Sequence, residues 1–154
     1  SIPYTKINIP ARENVPAKII YSPILETFLY SNGHQTQFAF RSIVDSGADF
    51  CVFPAKFGEL MGVSVKKGRP VPSFGVGGQE ILYFHDIKVG VVIDDQVWKF
   101  SCSAGFSVKM NPKGTGLLGR NVFFDLFEEV VFEQQKRVFK LHGEGSRLFE
   151  EETE

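Results

Sequence analysis

Short apolar runs separated by turn residues dominate the chain. Ile24 to Tyr30 reads as a strand, Ser31-Asn32-Gly33-His34 as a turn and Gln35 to Val44 as the returning strand. Asn-Gly between two apolar runs is a strong hairpin signal, because both residues tolerate positive φ. Val71 to Phe74 and Glu80 to Phe84 predict a second hairpin, with Gly75-Val76-Gly77-Gly78 at its tip. A third joins Ile87 to Ile93 and Val97 to Cys102 through Asp94-Asp95. In its second strand Trp98, Phe100 and Cys102 share one face. Pro54 to Met61 predicts a short helix stopped by Gly62, and Asn121 to Phe127 predicts another. Glu129 to Phe132 and Arg137 to Leu141 complete the set as two strands joined through Glu133 to Lys136.

The ends differ from this body. Pro3, Pro10, Pro16 and Pro23 exclude a long helix and predict an extended arm over residues 1–23 with short strand pieces. From His142 to Glu154 the chain is acidic and aperiodic, the pattern of a frayed tail. No internal repeat is present. The pattern predicts one all-β domain over residues 24–141, with one or two short helices.

Composition narrows the function. At 154 residues the chain has room for one substantial core. Its 43% apolar and 23% charged content excludes a disordered chain. Seventeen Lys and Arg against eighteen Asp and Glu exclude a nucleic-acid binder that relies on a basic surplus. No apolar run approaches the ~18 residues that cross a bilayer, and no signal-peptide core is visible. The cytoplasm is the expected compartment. Because the chain begins at Ser1, a trimmed start is expected too, and a targeting or anchoring segment outside these residues stays open. Sixteen Phe and fifteen Gly fit a β-rich fold with tight turns. Cys51 and Cys102 form no CxxC pair, and His34, His85 and His142 are scattered. No metal site and no cofactor is therefore expected; two buried thiols are the simpler reading and one disulfide the alternative.

Three segments carry candidate chemistry. In Ile43-Val44-Asp45-Ser46-Gly47-Ala48-Asp49 a carboxylate directly follows an apolar strand, with a hydroxyl and a glycine behind it. The strand holds Asp45, the glycine permits a sharp turn, and amides of that turn can bind the carboxylate; taken alone, the segment also fits a surface turn. The glycine-rich tip at Gly75 to Gly78 lacks the Gly-Lys-Ser/Thr ending and following helix of a phosphate loop. A hairpin that closes over a ligand suits it better. Gly114-Thr115-Gly116-Leu117-Leu118-Gly119 matches G-x-G-x-x-G, but a polar stretch containing Pro112 precedes it instead of a buried strand. A dinucleotide site is excluded on that ground.

In this order the three segments resemble the retropepsin-like aspartic proteases. The resemblance rests on Asp45-Ser46-Gly47-Ala48, on Phe74 to Gly78 and on Leu117-Leu118-Gly119-Arg120-Asn121, and spans residues 24–141. Ser46 stands where the family more often has Thr, and the arm and tail lie outside the resemblance. It implies a closed acid-protease barrel with a flap hairpin, and an aspartic endopeptidase acting on polypeptides. Asp45, Ser46 and Gly47 would be catalytic, with Ser46 hydrogen-bonding across a dimer axis. Ala48, Asp49, Gly75, Val76, Gly77, Gly78 and Leu118 would contact substrate. Arg120 would pair with Asp49 through a bidentate fork, with Gly119 as structural support, while Phe74 and Leu117 would pack in the core.

Hydrolysis by this chemistry needs two carboxylates at one water, one to take a proton and one to give it. No other Asp in the chain is followed two residues later by Gly. The resemblance therefore implies a homodimer in which two Asp45 side chains meet. The rival reading is a retropepsin-shaped module that grips a peptide, or dimerises, without cutting.

Overall fold

A computed structural model describes residues 1–75 and 78–143. Val76, Gly77 and residues 144–154, which include most of the acidic tail, lie outside the described residues.

Six strands close a barrel. They are β4 (Ile24–Ser31), β6 (Phe40–Val44), β11 (Gly116–Leu118), β7 (Val52–Pro54), β10 (Gln96–Ser107) and β9 (Gly78–Ile93), with β9 pairing back onto β4. The fold is all-β, as the alternation predicts. Two more strands extend the sheet: β5 (His34–Gln35) beside β4, and β8 (Arg69–Gly75) beside β9. Phenylalanine fills the interior. Phe53, Phe100, Phe106, Phe123 and Phe139 are fully buried, and Phe40 stacks on Phe57 at 4.4 Å.

Local chemistry sets the turns. Ser31 pairs with His34 across Asn32 and Gly33, whose φ values of 48° and 79° are both positive, as a two-residue hairpin demands. Ile93 pairs with Gln96 across Asp94 and Asp95, at 51° and 62°. The helix α1 (Ala55–Leu60) begins after Pro54 and ends before Gly62, whose φ is +80°.

Four expectations need correction. The returning strand from Gln35 to Val44 is split into β5 and β6. Tyr30 pairs with Gln35 but Thr27 pairs with Phe40, so two extra residues bulge out between them. Buried Thr36 anchors the bulge, its hydroxyl accepting from the Leu29 amide. The second and third hairpins share one sixteen-residue strand, β9, with no break at His85-Asp86. That strand changes neighbour there, pairing with β8 up to Phe84 and with β4 from Lys88. Asn121 to Phe127 is not an α-helix; only Phe124–Leu126 makes a 3₁₀ turn. Val122 has φ +78°, and the amides of Arg120 and Asn121 bond the carbonyls of Ala48 and Asp49 instead of a helix. Phe74, expected in the core, is 77% exposed.

The N-terminal residues contribute to two further sheets. β1 (Ile2–Pro3) pairs with β13 (Val138–His142), which also pairs with β12 (Glu129–Glu133). β2 (Thr5–Ile9) and β3 (Lys18–Ser22) form a separate antiparallel ribbon. No helix among the described residues is long and apolar enough to cross a membrane.

Candidate active site

Strand β6 ends at Val44, and Asp45 starts the turn after it. The Val44 amide bonds the Pro23 carbonyl at 2.8 Å, and the Asp45 amide bonds the Leu118 carbonyl at 3.0 Å. The carboxylate is therefore carried on a backbone fixed from two sides. Parallel pairing of β11 with β6, Leu118 opposite Val44, brings the second motif beside the first. The Gly47 amide donates to Asp45 Oδ1 at 2.8 Å, the turn-amide contact that the Asp-Ser-Gly spacing suggests. Ala48 closes the turn, its amide donating to the Asp45 carbonyl at 3.2 Å.

Gly119 and Arg120 tie the two loops together. A β-carbon on Gly119 would lie 2.3 Å from the Phe50 carbonyl oxygen, so only glycine fits. The Arg120 and Asn121 amides hold the Ala48 and Asp49 carbonyls at 2.9 and 2.8 Å. Arg120 Nη2 also contacts Asp49 Oδ1, but through one atom pair instead of a fork, with both side chains more than half exposed.

A groove of about 890 Å³ runs from this turn to the β8–β9 hairpin. Asp45, Gly47, Ala48 and Asp49 line one side, and Gly75 and Gly78, paired at the hairpin end, line the other. Ser46 is exposed and makes no hydrogen bond among the described residues. Val76 and Gly77 lie outside the described residues.

Leu118 is placed elsewhere than expected. It is fully buried in the main core, while Leu117 is half-buried and lines the groove. On so short a strand successive side chains take opposite faces, and the pairing of β11 between β6 and β7 turns Leu118 inward.

No family model matches the chain, and no curated protein does. Among solved structures, EIAV protease complexed with the inhibitor HBY-793 is similar over 79% of this chain and 94% of its own, at 18% identity and a TM-score of 0.37.

The floor of the groove was not legible from the motifs. Val52, Leu82 and Phe84 form an apolar cluster separate from the main core, with Val71, Met110 and Leu117 packed against it. All six line the groove. Phe50, on the turn itself, meets Phe84 edge to face at 5.1 Å. The period-two run of Glu80, Leu82 and Phe84 was the available signal, since it puts all three on one face of β9.

Behind the turn lie Cys51 and Cys102, both buried and free of a disulfide. Hydrogen bonding to Cys51, then burial, push the Cys102 thiol far above the usual thiol range. Cys51 moves the other way, lowered by the same hydrogen bond against its own burial. With both sulfurs out of water, the raised Cys102 is the effect that governs the pair, because a second thiolate there would be unsolvated.

Proposed function

We propose that the protein is an aspartic endopeptidase whose active unit is a two-fold homodimer, with Asp45 of each copy meeting at one water. One carboxylate, ionised, takes a proton from the water as its oxygen attacks the peptide carbonyl. The other, protonated, gives its proton to the carbonyl oxygen; as the C–N bond breaks, the first passes the proton it took from water to the leaving nitrogen and the second regains a proton from a hydroxyl of the tetrahedral intermediate. Two carboxyls that share one water cannot both ionise cheaply, so the pair shares one proton.

The observation that carries this reading is the position of Asp45: a carboxylate on a fixed turn, at the edge of a groove floored by six apolar side chains. Such a floor favours cleavage between apolar residues. Ser46, exposed beside the carboxylate, is available to bond across the axis. Gly47 leaves room for substrate backbone, Ala48 and Asp49 border the groove, and the hairpin carrying Gly75 and Gly78 grips the peptide and lowers water access. Gly119 and Arg120 hold the turn in place.

The test is equilibrium sedimentation alongside peptide turnover across a dilution series. Activity per chain that falls as the dimer dissociates supports the proposal. Full activity from a chain that sediments only as monomer overturns it, and a stable dimer that binds peptides without cutting them points to the non-catalytic module.

A further inference from the structure

Glu80 is an acid beside the apolar floor of the groove. It precedes Leu82 and Phe84 on the groove face of β9 and lies opposite Ser73 of β8. Its Oε2 accepts a hydrogen bond of 2.7 Å from the Ser107 hydroxyl, and Ser107 is 1% exposed. The same hydroxyl accepts from the Met110 amide at 3.0 Å. Two strands and the loop after β10 therefore fix this carboxylate in place. Its other oxygen has no partner among the described residues. Lys66 borders its outer side and Lys109 lines the groove beside it as well; neither makes an ion pair with it, and the Lys109 ammonium is held by the Gln79 carbonyl at 3.0 Å.

We propose that Glu80 selects peptides with a lysine or arginine side chain at the subsite beneath β9. This rests on the groove being a peptide site and names the substrate class it takes. A basic side chain lays its methylenes along the apolar cluster and brings its charge to the open oxygen. A neutral apolar side chain there would cover that oxygen without bonding it, which is costly. An acidic one would bring like charges together. Because Ser107 already holds the carboxylate, little side-chain freedom is lost on binding.

The experiment uses one mixed peptide library in two arms. In the first it is digested by wild type, Glu80→Gln and Glu80→Lys; in the second it is captured on Asp45→Asn and on Asp45→Asn with Glu80→Lys. Wild type and Asp45→Asn are expected to enrich Lys or Arg about tenfold over Met at one fixed position. Glu80→Gln, which can keep the Ser107 hydrogen bond and whose melting is followed in parallel, brings the two near parity. Glu80→Lys turns the preference toward Asp and Glu, and Glu80→Gln decides if that variant does not fold. Cleavage with no preference that depends on Glu80 overturns the inference and leaves the protease reading standing. Basic peptides captured in a Glu80-dependent way but not cut support the inference and sink the protease reading. Neither cutting nor capture sinks both.

Discussion

Gly119 and Phe50 meet backbone to backbone, with the room for a β-carbon on Gly119 already taken by the carbonyl oxygen, carbon and nitrogen of Phe50. Neither chain can yield without moving the Asp45 turn. Gly119→Ala is expected to lose more than ~2 kcal/mol of stability, toward the upper end for an overpacked core. Thermal or urea melts measure this; a loss under about 0.5 kcal/mol would mean that the two loops are not locked together.

The Arg120–Asp49 pair, by contrast, is exposed and contributes little. Its side chains are 57% and 64% accessible, where ion pairs are worth about 0–1 kcal/mol. A double-mutant cycle with Arg120→Ala and Asp49→Asn is expected to give a coupling below ~1 kcal/mol. A larger coupling would show that the side chains, rather than the Arg120 and Asn121 amides, hold the loops together.

Ser42 lies wholly inside the barrel with a hydroxyl that has no hydrogen-bond partner among the described residues. Burying an unpaired hydroxyl is unfavourable, so Ser42→Ala should be neutral or stabilising, by up to ~1 kcal/mol. A clear drop in melting temperature would contradict this.

Cys102 makes stability depend on alkaline pH. Its thiol is raised in the fold, so the folded chain holds that proton more tightly than the unfolded one. The contribution is complete below the unfolded thiol value of ~8.5 and declines as pH rises above it. Urea titrations across that range should show falling stability in wild type and a flatter profile when both thiols are removed in Cys51→Ala with Cys102→Ala, because Cys102→Ala alone takes away the hydrogen bond that lowers Cys51. Equal slopes would remove the buried thiols as the cause.

Much of the barrel could be read from turn chemistry and alternation, because Asn32-Gly33 and Asp94-Asp95 need nothing beyond their neighbours to form tight turns. What escaped depended on partners distant in sequence. His85-Asp86 looks like a break, yet β9 runs through it because the strand is changing neighbours from β8 to β4. Asn121 to Phe127 reads as a short helix, but the Asn121 amide is tied to the Asp49 carbonyl and Val122 takes a φ of +78°, which an α-helix does not accommodate. Leu117 and Leu118 are identical in type, and only the placement of β11 between β6 and β7 decides which one faces the groove. The three motifs located the Asp45 turn and the hairpin tip. The apolar floor between them comes from strands that the motifs do not mention.

Under the proposed function Asp45 carries the chemistry. Asparagine keeps the shape, and its side-chain oxygen can still accept from the Gly47 amide, but it cannot share the proton. The direct measurement is mass-spectrometric digestion of a peptide mixture by wild type and Asp45→Asn at equal concentration, with matched melting curves. Cleavage by wild type is expected, with a loss of at least about a thousandfold in Asp45→Asn and folding retained. Equal cleavage by a clean Asp45→Asn preparation would contradict it.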